Sequence, residues 1–239
     1  MSPSAVPALV VLVPAPALGP ASWQPVAGEL RRAGREVTIP SLDGMADAGP
    51  PYAARLAQLV AGQVRDRPGE PVTLVTHSGA GLFAGQISAA IAAAATTAIF
   101  ADAGLPEPDG GGQVVGDDFL PYLREIAADG IVPPWPLWFP DDDLGALFAD
   151  QQTQRSVLAE AGALPLAFFE ERLPPVPGHW PPSRAGYLLF SDGYRQEARK
   201  AAGRGWPVAE LPGEHLHMLV MPAAVAAAII ALEAGAVPG

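Results

Sequence analysis

The sequence predicts an α/β fold: a doubly wound, mostly parallel sheet carrying one helical insertion. Three observations predict it. Short apolar runs alternate with segments of helical spacing over residues 1–105 and again over 184–239. The leading run, ALVVLV, is continuously apolar, which suits a strand covered on both faces. Residues 106–183 break the alternation with repeated proline, three consecutive glycines and an excess of tryptophan and phenylalanine. The two outer stretches therefore read as one core and the middle stretch as an insertion.

The elements follow in order. Residues 8–13 form a strand stopped by Pro14, and residues 23–33 a helix ended by Gly34. Residues 36–39 are a second strand before Pro40. Residues 51–64 form a helix with Ala54, Leu56, Leu59 and Val60 on one face. Residues 72–76 are the third strand, 79–94 a helix of small residues, and 97–101 the fourth strand. Within the insertion, short helices are expected at 118–129, 142–151, 154–161 and 164–173. Strand 186–190, helix 196–204, strand 207–211 and helix 223–232 complete the core. Strands joined by helices of this length imply parallel pairing with right-handed crossovers. An aromatic-rich insertion leaving the carboxyl end of a strand is placed to act as a lid over a ligand crevice.

Composition narrows the function. A chain of 239 residues is long enough to bury a full core. Its 49% hydrophobic and 16% charged content excludes disordered and collagen-like classes. A formal charge of −11 argues against nucleic acid and anionic membrane as partners, because both need a basic footprint. The absence of cysteine excludes disulfides, thiolate metal sites and a cysteine nucleophile. The first basic residue is Arg31, so the charged start of a signal peptide is missing, and residues 88–101 are too short to span a bilayer. A cytoplasmic protein is the expectation.

Two segments carry the chemistry. In residues 72–81, VTLVTHSGAG, a strand runs into a tight turn that holds Ser78 among small residues, and a helix follows at once. Such a turn lifts the hydroxyl above the sheet, and the helix start offers free N–H groups to a developing oxyanion. Alone, Ser78 reads at least as well as the N-cap of an ordinary loop. The second segment, GEHLHMLVMP at 213–222, lies between the last strand and the last helix. A histidine there shares one end of a parallel sheet with Ser78, so the two can meet. Nucleophile first and histidine last is the chain order expected of a triad on this kind of sheet.

With these segments the chain resembles the α/β-hydrolase superfamily, especially its compact, lid-bearing branch of plant-type esterases and hydroxynitrile lyases. The family's Gly-x-Ser-x-Gly turn appears as Thr76-His77-Ser78-Gly79-Ala80, with both outer glycines replaced. Its terminal loop, Gly-x-His followed by x-Pro-Met-Leu-x-x-Pro, appears as Gly213-Glu214-His215 and then LHMLVMP. The resemblance implies an α/β-hydrolase fold with Ser78 as nucleophile and His215 as base. His217 stands where proline is usual.

An acid that orients His215 is implied as well. The family's usual slot follows the next-to-last strand, near Tyr194, but the carboxylate there is Asp192, two positions early. Some relatives instead place the acid after the strand that follows the nucleophile helix, where Asp102 stands. The two are level, and either is also an ordinary turn-former. The implied oxyanion hole takes one donor from Gly79 and the other from the loop after the first strand. That loop reads Pro14-Ala15-Pro16-Ala17 where the family has His-Gly-x-Gly, with Trp23 in the place of a common tryptophan. The donor slot falls on Pro16, which has no N–H, and Ala17 is the alternative through a shifted loop.

Trp135, Trp138, Phe139, Phe168 and Phe169 either line an apolar substrate pocket or pack a lid on its own core. His77 and His217 are grouped with the substrate-facing residues. The aspartate run at 141–143 reads as the start of a solvated helix rather than a metal site, and no metal or cofactor is implied. The expected function is a serine hydrolase cleaving a carboxylic ester or thioester of a small, largely apolar substrate. The alternatives are a cofactor-free lyase or cyclase on a natural-product intermediate, and a non-catalytic ligand-binding relative. The expected partner is a small-molecule substrate, with a homodimer left open.

Overall fold

The computed structural model describes residues 9–47, 49–64, 70–91, 95–107, 109–139, 144–176, 180 and 184–236. The aspartate run at 141–143, the first residue of the expected first strand and the last three of the expected helix 79–94 lie outside the described residues.

The chain alternates as its apolar runs predict. The order is β1 (Leu9–Val13), α1 (Gln24–Arg32), β2 (Val37–Thr38), α2 (Tyr52–Gln63), β3 (Pro71–Ser78), α3 (Ala84–Ala90) and β4 (Ala95–Ala103). The insertion holds α4 (Leu120–Ile126), β5 (Ile131–Val132), α5 (Gln151–Ala159), β6 (Leu164–Pro165) and α6 (Leu166–Glu170). The core resumes with β7 (Arg184–Leu189), α7 (Arg195–Gly203), β8 (Val208–Glu210), α8 (His217–Val220) and α9 (Pro222–Glu233).

Six strands form one parallel sheet in the order β2-β1-β3-β4-β7-β8. Side chains alternate between its two faces, which is why β1 is buried at every position. Leu9, Val11 and Val13 join Leu56 and Val60 of α2 and Ile87 of α3 in one layer. Val10 and Leu12 join Leu30 of α1 and Ile229 of α9 in the other. Each such Leu or Val contributes about 1.5–3 kcal/mol through burial. From β1 the chain passes to β2 on one side and then to β3 on the other. The carboxyl ends of β1 and β3 therefore flank a topological switch point, where open α/β sheets bind their ligands.

The insertion departs from expectation. The helix expected at 164–173 is split: Leu164 and Pro165 pair antiparallel with Val132 and Ile131, and only then does α6 begin. A two-stranded ribbon leaves an edge free, so it tolerates a proline that cannot donate. The helix expected at 142–151 is a short 3-10 turn, Leu144–Leu147, within the described residues. In the core, the expected helix 79–94 begins as a 3-10 turn, Gly79–Phe83, before α3. No helix among the described residues is long and apolar enough to cross a membrane.

Candidate functional site

Ser78 ends β3 with φ 56° and ψ −132°. A side chain held in this left-handed region costs about 1–3 kcal/mol, which the surrounding sheet must impose. The turn that follows runs tightly against the end of β4: a Cβ at Gly81 would overlap the Gly104 carbonyl oxygen. The close approach thus demands glycine at Gly81. Ala80, in the family's last glycine slot, fits fully buried. Thr76, in the first, is also buried, and its hydroxyl has no partner among the described residues.

The neighbouring strand presents a carboxylate through a bulge. β4 pairs with β3 in register as far as Ala101 opposite His77, then slips so that Ser78 faces Ala103. Asp102 is the residue left over, at φ 44°, and a bulge of this kind re-aims a side chain at the rim of a sheet. The Tyr187 phenol closes it, accepting the Ala103 N–H at 3.0 Å and donating to the Ala103 carbonyl at 2.9 Å. Asp102 is fully buried. Its carboxylate accepts from the Phe190 N–H at 2.9 Å, the Ser191 N–H at 3.0 Å and the Ser191 hydroxyl at 2.6 Å. His215 Nδ1 lies 2.8 Å from it. Burial alone would raise the Asp102 pKa, but the bond and charge of His215, then the Ser191 bonds, outweigh it and leave the pKa lowered. An ionised carboxylate only accepts, so Nδ1 of His215 carries the shared proton and Nε2 is left free to take one.

Asp192 does not serve this position. It begins a 3-10 turn, Asp192–Tyr194, with its side chain 90% exposed, and pairs with Arg195 at 2.7 Å. Its neighbour Ser191 gives both backbone and hydroxyl to Asp102 instead.

His77 and His217 are also corrected. His77 is fully buried, with its ring 4.5 Å from that of His215 and away from the cavity wall. Its Nε2 lies 3.0 Å from the His215 carbonyl. A carbonyl only accepts, so Nε2 donates and Nδ1 is bare; Nδ1 has no partner among the described residues. Burial, then the charge of His215, lowers the His77 pKa to about 3, so the ring is neutral. It supports the His215 loop from behind. His217 starts α8, follows that helix onto the Phe190 ring at 5.8 Å and is absent from the cavity wall.

Tyr194 also faces this site, without a motif of its own to mark it. Its hydroxyl lies 3.2 Å from Ser78 Oγ, and its ring stacks on His215 at 5.0 Å and 5°. Burial, against the bond to Ser78, raises its pKa and keeps the phenol protonated. The sequence holds one signal: counting from the β7 run, the family's acid slot lands on Tyr194, whose phenol stays protonated where a carboxylate would carry charge.

Ser78, Gly79, Tyr194 and His215 open into a cavity of about 270 Å³. Trp135, Trp138, Phe139, Phe168 and Phe169 from the insertion wall it, as the sequence allowed. A larger cavity of about 800 Å³ adjoins it along Gly79 and Tyr194. Pro16 and Ala17 form one side of the smaller cavity, in a turn closed by the Leu18 N–H donating to the Ala15 carbonyl at 2.8 Å. Proline suits the second position of such a turn. Pro16 has no N–H to offer, which excludes it as a donor. The Ala17 N–H makes no hydrogen bond among the described residues. The Trp23 indole donates to the Val13 carbonyl at 3.2 Å and anchors this loop where it leaves β1.

Residues 10–228 match the model of a family described as the alpha/beta hydrolase family. A search of curated proteins by sequence finds no match. Among solved structures, an extracellular alpha/beta-hydrolase from a Paenibacillus species superposes with a TM-score of 0.70 at 18% identity, covering 96% of this chain and 99% of that one. Tomato methylketone synthase I, complexed with 2-tridecanone, gives 0.69 at 15% identity, covering 96% and 98%. Polyneuridine aldehyde esterase gives 0.63 at 15% identity, covering 95% and 100%. At these identities the likeness is one of fold.

Proposed function

The chain belongs to the alpha/beta hydrolase family, and from that premise we propose that it is a serine hydrolase cleaving a carboxylic ester or thioester of a small, largely apolar substrate. Ser78 Oγ attacks the carbonyl carbon while His215 Nε2 takes its proton. The N–H groups of Gly79 and Ala17 hold the oxyanion, and Asp102 stabilises the imidazolium. His215 then returns the proton to the leaving oxygen or sulfur, and a water activated by the same nitrogen releases the acid. The aromatic-walled cavity of about 270 Å³ takes the acyl part. The observation that carries this reading is the 2.8 Å bond from His215 to a buried Asp102, with His215 on the same cavity wall as the strained Ser78.

A second reading is favoured by Pro16. Losing one oxyanion donor costs about 3–4 kcal/mol of transition-state stabilisation. A cofactor-free lyase or cyclase that uses His215 as its base has no need of that donor. A fluorophosphonate probe separates the two. The hydrolase reading expects wild-type labelling that is lost in Ser78→Ala and strongly slowed in His215→Ala, with turnover of p-nitrophenyl esters. No labelling, under conditions where ordinary esterases react, sinks it. The lyase reading expects a reaction that survives Ser78→Ala.

A further inference from the structure

We propose that Tyr194 is a catalytic residue of this site, donating its phenolic hydrogen to Ser78 Oγ as negative charge grows on that oxygen. The proposal rests on the hydrolase reading. Among the described residues, Ser78 makes no hydrogen bond to His215, and its Oγ is instead paired with the Tyr194 hydroxyl at 3.2 Å. A phenol has one proton, and Tyr194 has no other acceptor among the described residues. Burial keeps that proton in place. Either hydroxyl can donate across this pair; in the proposal Tyr194 is the donor and sits on a lone pair of Oγ. The serine's own proton remains for His215.

The length of the bond is informative. Hydroxyl pairs usually settle near 2.7–2.8 Å, so contact at 3.2 Å is weak in the resting site. In acylation the Oγ–H bond breaks toward His215 Nε2 and its electron pair forms the bond from Oγ to the acyl carbon. In deacylation that bond breaks, the pair returns to Oγ, and His215 supplies the proton. Oγ is more negative in both transition states than in the resting serine or the acyl ester. A donor that tightens only then stabilises the transition state more than the ground state, which is the condition for catalysis. Tyr194 keeps its proton throughout.

The ring is positioned for this. It stacks on His215 at 5.0 Å and 5°, so one packing contact aligns the donor and the base over the same oxygen. The short turn Asp192–Tyr194 after β7 delivers it there.

The test compares wild type, Tyr194→Phe and a Tyr194→3,5-difluorotyrosine protein. Tyr194→Phe keeps the stack and removes only the hydroxyl. Fluorophosphonate labelling and kcat for a p-nitrophenyl ester are expected to fall on the order of 100-fold, with KM within about twofold and the melting temperature close to wild type. The difluorotyrosine protein is expected to label well at neutral pH but to lose activity at lower pH on the alkaline side, as its more acidic phenol ionises. A structural role would not move that limb. Tyr194→Phe labelling at the wild-type rate, or an unmoved alkaline limb, overturns the proposal and leaves the hydrolase reading standing. Failure of the wild type to label overturns both.

Discussion

Asp102 and Asp192 stand at the carboxyl ends of neighbouring strands in one sheet, and they could hardly be held more differently. Asp102 is fully buried on a bulge, accepts three bonds from Phe190 and Ser191, and meets His215. Asp192 is 90% exposed and leans on Arg195, three residues along its own turn. An exposed pair of this kind contributes about 0–1 kcal/mol and holds nothing in place. A buried carboxylate without donors would be neutralised; the bond and charge of His215 first, then the Ser191 bonds, keep Asp102 charged. The difference teaches that an orienting acid is made by the donors around it. Ser191 reaches Asp102 from the strand end that also carries Asp192.

Four measurements would break or sharpen that contrast. The largest expected effect is on turnover: Asp102→Asn should lower kcat for an ester on the order of 1,000- to 10,000-fold, whereas Asp192→Asn should stay within about twofold. Equal losses would end the distinction. Next is the bulge itself. Tyr187→Phe leaves both backbone groups of Ala103 unpaired in the core, and chemical denaturation should register a loss of about 3 kcal/mol. An unchanged midpoint would mean that the bulge does not depend on the phenol.

The third concerns the buried support of His215. The His77 pKa falls from 6.5 to about 3 on folding. The unfolded chain therefore takes up the proton first as pH drops. The contribution of His77 is complete above pH 6.5 and is lost downward through the window to about 3. Stability should decline by ~1.4 kcal/mol per pH unit in that window. Urea midpoints at pH 6.5 and 5 should show this slope, and His77→Gln should flatten it. The smallest effect is at the exposed carboxylate. Arg195→Ala removes the partner of Asp192 and should change stability by no more than about 0.5 kcal/mol; a larger loss would mean that this turn carries more of the site than its exposure suggests.

Legibility in the sequence followed the range of the interaction. The ALVVLV run, the proline and glycine stops and the small-residue helix after Ser78 are local signals, and β1, β3 and α3 appear where those signals put them. Ser78 and His215 were legible because a parallel sheet brings its carboxyl-end loops together wherever they fall in the chain. The insertion is less legible: Leu164 and Pro165 carry helical spacing, but the distant strand Ile131–Val132 takes them as partners. His77 and His217 look alike as short-range neighbours of the key residues. Burial in a strand turned one away from the cavity, and the start of α8 turned the other. Gly81 took over a packing role that the motif assigns one position earlier, because the carbonyl of Gly104 approaches there.

By itself the sequence determined the order of strands along the chain, the apolar faces, the tight turn at Ser78 and the absence of any thiol chemistry. These depend on side-chain type and on spacing along the chain, which sequence states outright. Only the tertiary structure buried Asp102 beside His215 and left Asp192 in solvent, put Tyr194 on Ser78, and left the Ala17 N–H without a partner among the described residues. Each of those outcomes turns on burial and on hydrogen-bond donors from distant strands. Whether a carboxylate is solvated or desolvated is a property of the packed core, and no local pattern encodes it.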